Sequence, residues 1–218
     1  MDPNLRRAWV ETVTPDDYEE HMASIGQAQA GADLMRHLLE VAHPPAGSGV
    51  VVAAAGTGQW LDFLDVGILR PFHLTFTDLS RRFLDRLERR LAQYGLHAIV
   101  LEDDIENTAL EQCPDLFLAT LLLEHIDWRR GVEEIARLRP AACGITIQQN
   151  PPQMTSAVTP GRMLPPSLAR AVEHAHPTLV AQQELVSAFA DRGYKKTETC
   201  SREVSDGKRL IGVLFQPA

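Results

Sequence analysis

The chain has 218 residues, 44% of them apolar and 23% charged, the mixture of one folded domain or a domain with a small cap and not of a disordered chain. Its 29 acidic and 21 basic residues leave a net charge of −8, which argues against a protein built to grip nucleic-acid phosphates. Cys113, Cys143 and Cys200 are too few and too scattered for a disulfide framework or a zinc cluster. No apolar run approaches the ~18 residues of a membrane span, and none follows Met1 to Arg7 as in a signal peptide. A soluble, reduced, cytoplasmic protein without a metal site is expected.

The first 45 residues read as helical. Asp16–Ala23 is short and charged, and Gln27–Val41 carries Ala28, Leu34, Met35, Leu38 and Leu39 at helical spacing. His43-Pro44-Pro45 ends that run, because proline cannot continue a helix. The period then changes. Val50–Ala55 is a continuous apolar run, the mark of a strand buried on both faces. After the turn Gly56-Thr57-Gly58, a helix is expected over Gln59–Ile68. A second strand over Phe72–Thr77 ends at Asp78, and an amphipathic helix with Leu79, Phe83, Leu84, Leu87 and Leu91 on one face runs to Gly95. Third and fourth strands are expected at Ala98–Leu101 and Asp115–Ala119, a helix at Trp128–Arg139, and a fifth strand at Cys143–Ile147. Residues 149–166 read as loop, followed by a short helix within 167–174. A helix over Thr178–Arg192 turns Leu179, Leu185, Val186 and Phe189 inward. Two last strands, Tyr194–Val204 and Leu210–Phe215, flank Asp206-Gly207, a strong hairpin signal. The alternation predicts an α/β fold: a Rossmann-like, seven-stranded, mostly parallel sheet with helices on both faces and a C-terminal antiparallel hairpin.

Three features fall at the carboxyl ends of successive strands, where open α/β sheets bind ligands. Gly56 and Gly58 let a ligand lie against the backbone. Asp78 can accept from both hydroxyls of a ribose, and Asp104 from an exocyclic amine. Together they outline an adenosine-shaped site.

In these pieces the chain resembles the class I S-adenosylmethionine-dependent methyltransferases, over roughly residues 15–216. Val51–Gly58 looks like the family's cofactor-binding glycine loop and Thr77-Asp78-Leu79-Ser80 like its ribose-binding acidic position. Glu102–Glu106 is similar to the adenine-binding segment. Asp115–Ile126 resembles the fourth strand and the turn that passes the sulfonium and the substrate. The resemblance implies S-adenosylmethionine as cofactor, held by Ala54, Gly56, Gly58, Asp78, Leu79, Asp104, Ile105 and Thr120. It implies in-line methyl transfer to a small molecule, with His125 as the base where the acceptor arrives protonated. Residues 1–45 would form a helical lid, residues 46–218 the α/β domain, and about 149–176 a substrate-lid insertion.

Two departures stand out. Val52 occupies the strand's usual acidic position and Ala54 that of the first glycine. Tyr18, Met22 and Gln27 are the residues expected to make up the lost contacts by folding over the cofactor. Blander readings stand beside these. Asp78 also fits a helix N-cap, Asp103 a solvated neighbour of Asp104, and His174 and His176 a surface or lid pair rather than a metal site. His21 fits a helix face. Asn150-Pro151-Pro152-Gln153 follows the wrong strand, and ends in the wrong residue, for an amino-methylating motif. The rival functions are a non-catalytic cofactor- or partner-binding member of the fold, and an NAD(P)-dependent oxidoreductase, for which Leu61 stands where a third glycine is needed. Trp9, Trp60 and Trp128 leave a homodimer open.

Overall fold

The computed structural model describes residues 2–111, 113–159, 162–173 and 176–218. Pro160-Gly161 of the loop and His174 of the His-x-His pair lie outside the described residues. Three helices come first: α1 (Pro3–Arg7), α2 (Pro15–Ser24) and α3 (Gln27–Ala42). Next are β1 (Gly49–Ala53), β2 (His73–Asp78), α4 (Arg81–Tyr94), β3 (Ala98–Glu102) and β4 (Leu116–Thr120). The chain continues with α5 (Trp128–Arg137), β5 (Ala142–Gln149), α6 (Pro166–Val172), α7 (Gln182–Ala190), β6 (Tyr194–Glu203) and β7 (Arg209–Pro217). Among the described residues the strands make one sheet in the order β3-β2-β1-β4-β5-β7-β6. The first five are parallel, and β7 alone is reversed, pairing antiparallel with both β5 and β6.

Both faces of the sheet are apolar because alternate residues of each strand feed separate cores. Val51, Phe117, Ile145 and Phe215 pack with Ile135 of α5 and Phe189 of α7. The Phe189 and Phe215 rings stack at 4.2 Å. On the other face Val50, Val52, Phe76 and Leu118 pack with Leu38 of α3 and Leu84 and Leu87 of α4. The strand order reverses between β1 and β4, so the carboxyl ends of β1, β2 and β4 open a crevice there.

The sequence expectations differ from the structure at several elements. Gln59–Phe63 and Val66–Leu69 are two short 3-10 turns rather than one helix. Between them Asp65 caps Gly67 N at 2.9 Å and breaks the run. The helix expected from 178 starts at Gln182, and Val180, 3% exposed, is the buried anchor ahead of it. Ahead of Asp16, where the helical reading of the first 45 residues gave no element bounds, the chain forms α1 followed by a wide π-type turn over Ala8–Thr12. Asp2 caps that helix through Asn4 N at 2.7 Å. Leu79, expected on the face of α4, lies in the loop before it.

Candidate functional site

One cavity of about 260 Å³ lies over the crevice. Its lining includes Ala54, Gly56, Gly58, Asp78, Leu79, Asp104, Ile105, Thr120 and His125 from the sheet edge. Tyr18, Met22 and Gln27 come from the N-terminal helices. The structure thus brings every sequence-predicted site residue to one cavity.

The glycine loop is held by backbone geometry. Gly56 and Gly58 have φ of +61° and +70°, a region where a side chain is strained. A Cβ at Gly58 would also press on the end of the Leu87 side chain, which would have to shift to admit it. Ala54 takes the same left-handed conformation, φ +49°, without the freedom of glycine. Leu121, just past β4, does so at +55°. Both line the cavity, and strained backbone of this kind concentrates at functional sites.

Asp78 ends β2 with its carboxylate tied at both oxygens. Oδ2 accepts from Gly56 N and Oδ1 from Ser80 N, each at 2.9 Å. Burial pushes its pKa up to about 6, and the backbone N–H bonds oppose that shift. The N-cap position of α4 belongs to Ser80 and not to Asp78. Asp104 caps the turn Ile105–Asn107 through Glu106 N at 3.1 Å, and its Oδ2 accepts from Arg6 Nη1 at 2.6 Å. Asp103 is not simply solvated. It accepts from Thr108 Oγ1 at 2.7 Å and Ala109 N at 2.9 Å, so it shapes the loop while lining the cavity beside Asp104.

The N-terminal segment closes over this edge. Arg82, Arg86 and Arg90 stand four residues apart on α4 and share one face. Arg82 donates to Val10 O at 2.9 Å, and Arg86 pairs with Asp16 and Glu19. Arg90 binds Glu19 at 3.0 Å and Thr57 O of the glycine loop at 2.7 Å. A Cβ at Gly56 would lie 3.5 Å from the Tyr18 hydroxyl, so α2 sits directly on the loop. Burial, then the charges of Asp78 and Glu19, hold the Tyr18 phenol protonated well above its usual range.

His125 follows β4. Its Nδ1 accepts from Trp9 Nε1 at 3.3 Å, and the rings meet edge-on at 4.8 Å. Burial lowers its pKa to about 4, so the imidazole is neutral at pH 7 with its proton on Nε2. Use as a base toward a substrate requires breaking the Trp9 bond. Glu124, missed in the sequence although it adjoins His125, is 3% exposed. Its Oε1 accepts from Gln148 N at 2.7 Å, its Oε2 has no partner, and burial pushes its pKa up to about 7. Gln27, expected over the cofactor, bonds Gln148 Oε1 at 3.2 Å. His21 lines the cavity rather than only a helix face, and burial beside Arg162 and Lys208 lowers its pKa. Among the described residues no cluster of three His, Cys, Asp or Glu could hold a metal ion.

The arrangement fits an adenosine-bearing cofactor: paired carboxylates, an open glycine backbone and buried polar atoms without partners, including Thr57 Oγ1 and Gln59 Oε1. A comparison with the curated proteins finds no match by sequence. Among solved structures, the magnesium protoporphyrin IX methyltransferase of Synechocystis PCC 6803 with bound SAM is similar at 12% identity and a TM-score of 0.67, covering 99% of this chain and 90% of that one. The N-methyltransferase NodS of Bradyrhizobium japonicum WM9 aligns at 13% identity and a TM-score of 0.59, covering 85% of each chain. The cyclase SpnF aligns at 12% identity and a TM-score of 0.63, covering 85% of this chain and 81% of that one, so likeness at this level carries the fold and not the reaction. A family model described as a methyltransferase domain matches residues 50–140. That span runs from β1 past α5 and holds the glycine loop, Asp78, Asp104 and the turn at His125.

Proposed function

We propose that the protein transfers a methyl group from S-adenosylmethionine to a small-molecule acceptor enclosed by the N-terminal helices and the segment after β5. The observation that carries this reading is the geometry of Asp78, whose carboxylate is fixed by the N–H groups of Gly56 and Ser80 beside the glycine loop. The bound cofactor supplies an activated methyl carbon on a sulfonium. The chain supplies the rest. Asp78 accepts from the ribose hydroxyls and Asp104 from the adenine amine, once Arg6 yields its oxygen. Ala54, Gly56, Gly58, Leu79, Ile105 and Thr120, which line the same cavity, would hold the remainder of the cofactor. Tyr18 and Met22 cover it from α2, standing in for the acidic group that Val52 lacks.

Holding nucleophile and methyl carbon in line is the main catalytic contribution of such a site. Closure by Trp9 and α2 excludes water. For an acceptor that arrives protonated, Glu124 is the proton acceptor, because its pKa sits near working pH and one oxygen is unengaged. His125 anchors Trp9. The mostly apolar cavity wall and the net charge of −8 support a small molecule with an apolar body over a nucleic acid. No helix of the described residues is long and apolar enough to cross a membrane. The three free thiols fit a reducing cytoplasm.

Calorimetric titration with S-adenosylmethionine and S-adenosylhomocysteine tests the reading. Micromolar binding is expected, weakened about 30-fold or more in Asp78→Ala through the lost charge-assisted bonds. Absence of binding to either ligand sinks it.

A further inference from the structure

A second stretch of the cavity wall comes from the turn between β6 and β7 and the loop after β5. Lys208, at the end of that turn, is only 7% exposed. Its Nζ donates to Ala157 O at 2.7 Å, one of the three hydrogen bonds an ammonium can make. Among the described residues no carboxylate stands within 4.0 Å of it. Asp206, the acid in the same turn, is engaged by Arg162 at 2.9 Å and by the Thr159 hydroxyl at 2.7 Å. Glu124 binds Gln148 N instead. Ala157 O already receives Gln148 Nε2 at 3.0 Å, so the loop has an anchor besides the lysine.

The local charges do not cancel. Arg162 and Asp206 neutralise each other, and His21 is held neutral by burial and by the two cations beside it. Lys208 leaves one positive charge in a wall whose other members include Met22, Ile25, Val158, Leu164 and Val204. A buried ammonium with one carbonyl partner is unfavourable until an anion joins it. One charge suits a monoanion and falls short of a phosphate dianion. We propose that the methyl acceptor is a carboxylic acid whose carboxylate binds Lys208 Nζ while its apolar body lies along Met22, Ile25 and Val204. This names the acceptor class for the methyl-transfer reading and rests on it.

The test is calorimetric titration of the whole protein with octanoate and octanamide, with and without S-adenosylhomocysteine. Octanoate is expected to bind about tenfold or more tighter than its neutral isostere. Lys208→Met should abolish the difference and leave the cofactor's Kd unchanged, and Lys208→Arg should keep the difference. Should Lys208→Met fail to fold, Lys208→Gln retains a donor for Ala157 O and reads the same difference without the charge. Equal binding of acid and amide, binding of neither, or a preference that survives removal of the charge overturns the proposal. Carboxylate preference without cofactor binding counts against methyl transfer alone, and cofactor binding without the preference counts against this subsite alone.

Discussion

The two walls of the cavity are built in different ways. The sheet wall uses groups close in sequence to strand ends: Gly56 N and Ser80 N on Asp78, Glu106 N on Asp104. The lid wall uses side chains that meet across long separations: Arg6 on Asp104, Trp9 on His125, Arg90 on Glu19, Lys208 on Ala157. The first is rigid because the parallel strands hold it. The second is assembled pair by pair, mostly near the surface, where each ion pair contributes about 1 kcal/mol or less. A wall of this second kind can open for a ligand while the first stays in place.

The sharpest contrast falls within one turn, where Glu124 belongs to the sheet wall and His125 to the lid. Glu124→Gln keeps an acceptor for Gln148 N but removes the titrating carboxylate. Where the methylated group of the acceptor arrives protonated, kcat should fall about 100-fold and the rise of activity through pH 7 should disappear, whereas methylation of an already ionised carboxylate should be spared. His125→Phe keeps the ring against Trp9 and removes only the hydrogen bond. It should raise the cofactor's Kd about two- to fivefold, of the order of one hydrogen bond, and leave the shape of the pH profile alone. Steady-state kinetics from pH 5 to 9 on both variants decide the matter. The reverse pattern would make His125 the base.

This difference between the walls also explains what could be read in advance. The sheet elements and their order were legible because buried strands are continuous apolar runs, as in Val50–Ala53, and the hairpin because of Asp206-Gly207. Asp78 and Asp104 were legible because they end strands. Arg6, Glu124, Arg162 and Lys208 were not. A charged residue in a turn or an N-terminal arm looks solvated until tertiary packing brings a partner to it, and periodicity carries no trace of that partner. The arginine face of α4 reads as an exposed surface, yet Arg82, Arg86 and Arg90 grip the N-terminal segment. The 3-10 turns at 59–69 escaped for a local reason, the Asp65 side chain capping Gly67 within an otherwise helical apolar pattern.

The sheet wall should titrate where the lid does not. Asp78 must be ionised to accept from two hydroxyls, and burial has raised its pKa from 3.8 to about 6. Cofactor affinity should be flat above pH 7 and fall about tenfold per pH unit below 6. Stability of the free protein runs the other way. With the folded pKa above the unfolded one, the native state holds the extra proton between pH 3.8 and 6. That stabilising contribution is complete below 3.8 and is lost as pH rises through about 6. Asp78→Asn should flatten both trends, which paired titrations and melts at pH 5 and 7 would show.

Backbone strain offers a smaller test of the sheet wall. Ala54 at φ +49° carries the ~1–2 kcal/mol penalty of a left-handed L-residue, while glycine there adds about 0.5–1 kcal/mol of unfolded-state entropy. Ala54→Gly should therefore stabilise by about 0.5–1 kcal/mol in urea unfolding. At Leu121 the side chain packs against the cluster of Ala30, Leu34 and Leu210, so Leu121→Gly should destabilise despite the same backbone relief. A loss of stability in Ala54→Gly would mean that the loop tolerates alanine without strain.

The smallest expected effect probes the lid where it overlaps the sheet wall. Arg6 holds the Asp104 oxygen that the adenine amine needs, and its side chain is 51% exposed, so the pair contributes little to folding. Arg6→Ala should change stability by less than about 0.5 kcal/mol. Its consequence should appear in binding, because the cofactor no longer displaces a guanidinium from Asp104. Association with S-adenosylhomocysteine, followed by stopped-flow quenching of Trp9 and Trp60 fluorescence, should accelerate about two- to threefold, the scale of one exposed ion pair. Dissociation should stay near its original rate. Slower association would mean that Arg6 guides the cofactor in, and the N-terminal arm would then be part of the binding surface rather than a cover over it.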